Sequence, residues 1–158
     1  MRPPAAALSA PRVYEAHASS TETFGRVTAS VRAHRLTVDG PVRNGAPGEA
    51  PTPGELVLAA AASCGAEVLQ VLARDGGVPF EAAAVTVRGT IDLARQPHAG
   101  VTVFSAVELE IVLRGPTPAQ AAELVAEFKR RCPVYGSLAV ASGHIVVHQR
   151  VERGPHPG

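Results

Sequence analysis

The apolar positions change period several times along the chain, and each change marks an element. From 12 to 38 they recur at every second residue. Val27, Ala29 and Val31 alternate with polar neighbours, and Leu36 and Val38 resume the alternation. Thr23–Gly25 and Asp39–Gly40 read as turns, so the segment predicts paired strands. Residues 40–54, "GPVRNGAPGEAPTPG", carry no apolar period and hold four prolines and four glycines. That composition predicts a loop, and long loops in compact domains tend to be functional.

The period then becomes helical. "ELVLAAAASCGAEVLQVLA" (55–73) is apolar on all sides, with Thr52 or Pro53 opening it and "ARDGG" closing it. A helix of about 53–75 is expected, central and buried on most sides. Its length suits a membrane span, but Ser63, Gly65, Glu67 and Gln70 interrupt it, which favours the core helix of a soluble protein.

Two alternating runs follow, Val85 to Leu93 and Val101 to Leu113, joined by "ARQPHAG" as an antiparallel pair. "GPTPAQAAELVAEFKRRC" predicts a second helix, with Ala121, Leu124, Val125 and Phe128 on its apolar face. Lys129, Arg130 and Arg131 suit its C-terminal end. "CPVYGSLAVASG" reads as a short helical turn and "HIVVHQRV" as a last strand. Strand runs separated by helices define an α+β class with a mainly antiparallel sheet. One domain over 12–151 is expected, between flexible tails at 1–11 and 152–158.

Composition narrows the chemistry. The net charge of +1 offers no basic surplus for nucleic acid or an anionic membrane. Aromatic content is 4%, so the core is built of Ala, Val and Leu. "MRPPAAALSAPR" is too short and proline-broken for a secretory core, which makes the cytoplasm the expected compartment. The six histidines are scattered. His144 and His148 share a strand face roughly 13 Å apart, too far for one metal.

The two cysteines, Cys64 and Cys132, stand 68 positions apart and fit neither a secreted disulfide framework nor a zinc site. Cys132, in "RRCPVYGSL", precedes Pro133 and a helical turn and follows two arginines. Local physics there favours a thiolate and a simple chain-reversal residue about equally. Cys64 lies mid-helix. Apolar burial raises a thiol's pKa, as would a charged Glu67 one turn on, so local physics reads it as packing unless a partner lies nearby.

Three features together resemble the OsmC/Ohr family of thiol-dependent peroxidases and their relatives. These are "PTPGELVLAAAASC", "RRCPVYGSL" and the order of elements from 12 to 151. The resemblance implies an OsmC-like fold, with antiparallel sheets packed on two longer helices, in an intertwined homodimer. It implies that Cys64 attacks a hydroperoxide and becomes a sulfenic acid, and that Cys132 condenses with it to a disulfide. An external dithiol, lipoyl-type in some members, is the implied reductant, with no bound cofactor. An arginine and a glutamate assist in the family; Arg43 and Glu55 are the nearest counterparts of one branch here, and Arg26 lies near where the other branch carries its arginine. The match is offset. The family's peroxidase acid stands ten residues before the first cysteine, which is Gly54 in this chain, and Glu55 is about 100° further round a helix. "RAHRLTVDGPV" and the "PxE" form are more similar to a branch with less settled activity. That leaves a binding or redox-sensing protein as the alternative.

Overall fold

The computed structural model describes residues 11–142 and 144–152. The tails expected at 1–11 and 152–158 lie almost wholly outside them. The chain falls into two compact units, with the boundary between Val57 and Leu58.

In the first unit, strands β1 (His17–Ser20), β2 (Arg26–Val31) and β3 (His34–Asp39) form an antiparallel sheet in the order β1-β2-β3. The register pairs Val27 with Val38 and Ala29 with Leu36, which puts the alternating apolar residues on one face. The loop after β3 holds a 3-10 turn at Val42–Asn44. Helix α1 (Pro53–Gly76) starts at the end of this loop. Thr52 and Glu55 form a reciprocal cap there: the Glu55 carboxylate accepts the Thr52 N–H at 2.7 Å, and the Glu55 N–H donates to the Thr52 hydroxyl at 3.3 Å.

The second unit carries the main core. Strands β4 (Ala82–Thr90), β5 (Ala106–Arg114) and β6 (Ile145–Glu152) lie in that order in one sheet. β4 and β5 are antiparallel, whereas β5 and β6 are parallel. The parallel pair is the exception, among the described strands, to the mainly antiparallel arrangement that was expected. Its cause is the connection through α2 (Pro118–Arg131) and α3 (Pro133–Ser142), since parallel neighbours need such a crossover. Val107, Leu109, Ile111 and Leu113 on β5 meet Leu69, Leu72 and Ala73 of α1 and Ala121, Leu124, Val125 and Phe128 of α2.

Three expectations are corrected. The strands stop at Thr90 and begin again at Ala106, so Ile91, Leu93, Val101 and Val103 belong to a connecting segment. Side chains hold that segment in a non-strand path. Gln96 accepts the Val103 N–H at 2.8 Å and donates to the Asp92 carbonyl at 2.8 Å. The turn after Cys132 is a ten-residue helix. Finally, α1 is buried along one stripe, Ala61, Gly65, Leu69, Leu72 and Ala73, rather than on most sides. α1 is long and apolar enough to cross a membrane, and within this chain it leaves Ala59, Ala60 and Ser63 exposed.

Candidate active site

The α1 stripe sets the position of Cys64. A Cβ added at Gly65 would meet Val85 of β4 at 3.4 Å and the Phe128 ring of α2 at 3.6 Å, so the helix lies close on both. Cys64 is the half-buried residue beside this contact. Phe128 lies one turn before the end of α2. Its carbonyl accepts the Cys132 N–H at 2.9 Å, and its ring centroid is 5.2 Å from that of Tyr135. The same packing thus fixes both cysteines.

Cys132 joins two helices. It is the C-terminal cap of α2, and Pro133 after it is the first residue of α3. Its carbonyl accepts the Gly136 N–H at 3.0 Å, closing the first turn of α3. Its sulfur accepts the Tyr135 N–H at 3.4 Å and is otherwise buried, with 2% of the residue exposed.

The two sulfurs are 2.9 Å apart, and either thiol can donate to the other. Both cysteines are free. Burial pushes the Cys64 thiol up to about 11, and its Cys132 neighbour adds to the rise. Glu67 adds a smaller push in the same direction. The arrangement is a dithiol within bonding reach, with one sulfur partly open and the other sealed.

The other two candidates belong to the first unit. Arg43 lies exposed in the 3-10 turn. Glu55 is occupied by the Thr52 cap, whose N–H holds its carboxyl below the ordinary range. His34 is exposed on β3.

A charged cluster built on Arg26, the second arginine that the resemblance offered, lies in the same unit. Arg26 grips the buried Asp39 with two bonds, of 2.7 and 2.9 Å, and reaches Glu49 at 2.8 Å. Asp39 also accepts the N–H groups of Glu49 and Ala50, at 2.9 and 3.1 Å. The Arg26 guanidinium, with these amides, holds the Asp39 carboxyl well below the usual carboxylate range. The cluster pins the far end of the 40–54 loop. The strand register brings its two main members together, pairing Arg26, the first residue of β2, with Asp39, the last of β3.

This fold and the cysteine pair define an OsmC-like protein. The family model described as "OsmC-like protein" matches residues 46–145, and the chain belongs to that family. The fold is similar to that of an OsmC-like protein from Mycoplasma pneumoniae, at TM-score 0.76 and 19% identity, covering 89% of this chain and 97% of that one. An organic hydroperoxide resistance protein OsmC from Legionella pneumophila matches at TM-score 0.69 and 20% identity, covering 91% and 99%. One from Elizabethkingia anophelis, with thiocyanate bound, matches at 0.71 and 19%, covering 92% and 99%. No curated protein matches the chain.

Proposed function

We propose that this protein is a thiol peroxidase that reduces organic hydroperoxides or hydrogen peroxide with Cys64 and Cys132. The 2.9 Å approach of the two sulfurs, from elements distant in sequence, carries the reading. Family membership and the hydroperoxide-resistance names of similar structures support a redox-stress role.

Cys64, the more open sulfur, attacks as its thiolate. An S–O bond forms, the peroxide O–O bond breaks, and the alkoxide leaves with a proton as the alcohol, or as water from hydrogen peroxide. Cys132 then attacks the sulfenic sulfur. An S–S bond forms and hydroxide leaves as water. The sulfurs need close by only roughly 1 Å to bond. An external dithiol returns the two electrons by exchange, so no bound cofactor is needed. A reducing cytoplasm would keep both thiols reduced between turnovers. The exposed Ala59, Ala60 and Ser63 on α1 suit close packing against a second copy, which makes a homodimer the working form.

The test is turnover. Wild-type protein consumes cumene hydroperoxide with a dithiol reductant far faster than the free dithiol does, and Cys64→Ser does not. Cys132→Ser accumulates a sulfenic acid at Cys64 that dimedone traps. A Cys64 label that never appears in this variant removes the mechanism.

Two observations favour a second reading, of a redox-sensing or small-molecule-binding protein with little turnover. Gly54 stands where the resemblance places an acid, and Cys64 is pushed up to about 11. A single oxidation by peroxide without multiple turnovers is its signature.

A further inference from the structure

A hydroperoxide ends in an O–H, so a site that selects one gains from an acceptor beside the reacting sulfur. Cys132 is sealed, with 2% of the residue exposed, so a peroxide meets the pair from the Cys64 side. One acidic side chain of α1, that of Glu67, stands within a turn of Cys64. Residues three apart on a helix are surface neighbours, roughly 5–6 Å apart at their Cβ atoms. Long helical side chains also lean back over the preceding turn, and for Glu67 that is the turn of Cys64. Glu67 is exposed and enters no ion pair among the described residues. Arg74, two turns further along α1, is engaged by Asp75 at 2.9 Å. Glu67 also lines a cleft of about 600 Å3, with Gln70, Val71 and Arg74 of α1 and Val78 and Phe80 of the segment before β4. Val71, Val78 and Phe80 are half-buried and give the cleft an apolar wall.

We propose that Glu67 orients the substrate at the cysteine pair, its carboxylate accepting the hydroperoxide O–H so that this oxygen faces Cys64 Sγ and the organic group turns toward the apolar wall of the cleft. The inference rests on reading the pair as a peroxidase, and it deepens that reading by naming the residue that selects the substrate's reacting end. The dimensions agree. An attacked oxygen sits about 3–3.5 Å from the sulfur, and an O–H bonded to a carboxylate spans about 2.5–2.7 Å. A bent chain of the two bridges the roughly 5–6 Å between neighbours one helical turn apart. The chemistry balances without a proton passing through Glu67. The Cys64 thiolate forms an S–O bond to the oxygen that carries the hydrogen, the O–O bond breaks, and the alkoxide takes a proton from water, replacing the one the thiol released. The new S–OH keeps its bond to Glu67. The same carboxylate opposes ionisation of Cys64, so its two effects on the reaction have opposite signs.

Those opposite signs make the test. Full-length Glu67→Ala and Glu67→Gln are compared with wild type in two reactions, each followed at Cys64 by mass spectrometry. Iodoacetamide carries no O–H to orient, and its alkylation rate reports thiolate alone. Single-turnover oxidation by cumene hydroperoxide needs thiolate and orientation together. Loss of the opposing charge should speed alkylation about threefold in both variants. Oxidation should instead slow about tenfold in Glu67→Ala. Glu67→Gln keeps a carbonyl acceptor at the same reach, so its oxidation should recover about half of that loss on a logarithmic scale.

Glu67 is exposed, so both variants should fold as wild type does, which circular dichroism checks. Oxidation that rises in step with alkylation in Glu67→Ala makes Glu67 a bystander charge and overturns the proposal, while the peroxidase reading stands. A wild-type Cys64 that peroxide never oxidises removes the peroxidase reading, and the role of Glu67 falls with it.

Discussion

Cys64 Sγ and Cys132 Sγ lie 2.9 Å apart, although 68 positions separate the two residues in the chain. The helix that bears Cys64 and the junction that bears Cys132 are both seated on the Phe128 ring. The sulfur pair is therefore a consequence of core packing.

The pair sets a pH dependence. With the Cys64 thiol near 11, thiolate is scarce at neutral pH, and its fraction rises about tenfold per pH unit up to that value. Single-turnover oxidation by cumene hydroperoxide should rise the same way and level off near 11. Linkage gives the stability counterpart. The folded value lies above the unfolded value of 9.0, so the folded state binds the extra proton between about 9 and about 11. Stability of the reduced protein is expected to fall with rising pH across that window. The disulfide form has no thiol to titrate and lacks this component, which parallel thermal melts check.

Two glycines of the second unit should differ sharply. A Cβ at Gly65 makes ordinary contact with Val85 and Phe128, so Gly65→Ala is expected to be tolerated, with helix propensity in its favour. A Cβ at Gly89 would lie 2.6 Å from the Phe104 ring and 2.9 Å from Leu58. Gly89→Ala should cost about 1–3 kcal/mol from overpacking. Urea unfolding of the two variants measures the contrast.

Asp39 is buried and accepts four bonds, two of them from Arg26. Asp39→Asn keeps the shape but removes the charge that Arg26 requires. It should lower Tm by roughly 5 °C or more. In the wild type this contribution is present at neutral pH. It is lost progressively as pH falls from the ordinary carboxyl value of 3.8 towards the depressed one, so the variant's deficit shrinks at low pH. Melts of both proteins across the acid range check the sign.

Ala60 lies on the exposed face of α1. Ala60→Glu places a charge where a second helix would pack. Light scattering should show a dimer for the wild type and a monomer for the variant. A wild-type monomer at all concentrations contradicts the homodimer.

Much of the fold was legible in the sequence. Period-two alternation located the strands, and the proline-opened apolar run located α1. The misreadings have physical causes. Ile91, Leu93, Val101 and Val103 continue the alternation, but the bonds made by Gln96 divert the backbone from the sheet. α3 has no apolar stripe and carries Gly136, so its length left no periodic trace. The parallel placement of β6 is a property of the crossover, which no local pattern encodes. At the site, each cysteine was visible locally, but their approach came only through the family resemblance, because spacing in sequence says nothing about contact across a core. The Thr52 cap that occupies Glu55 was equally hidden, although its two residues are three apart.

The central claim is that these two sulfurs form one redox couple driven by peroxide. Reduced protein is treated with one equivalent of cumene hydroperoxide, quenched by alkylation and digested for mass spectrometry. The expected result is rapid formation of an intramolecular Cys64–Cys132 disulfide, lost entirely in Cys64→Ser. Both thiols remaining alkylatable after the peroxide has been added contradicts the account.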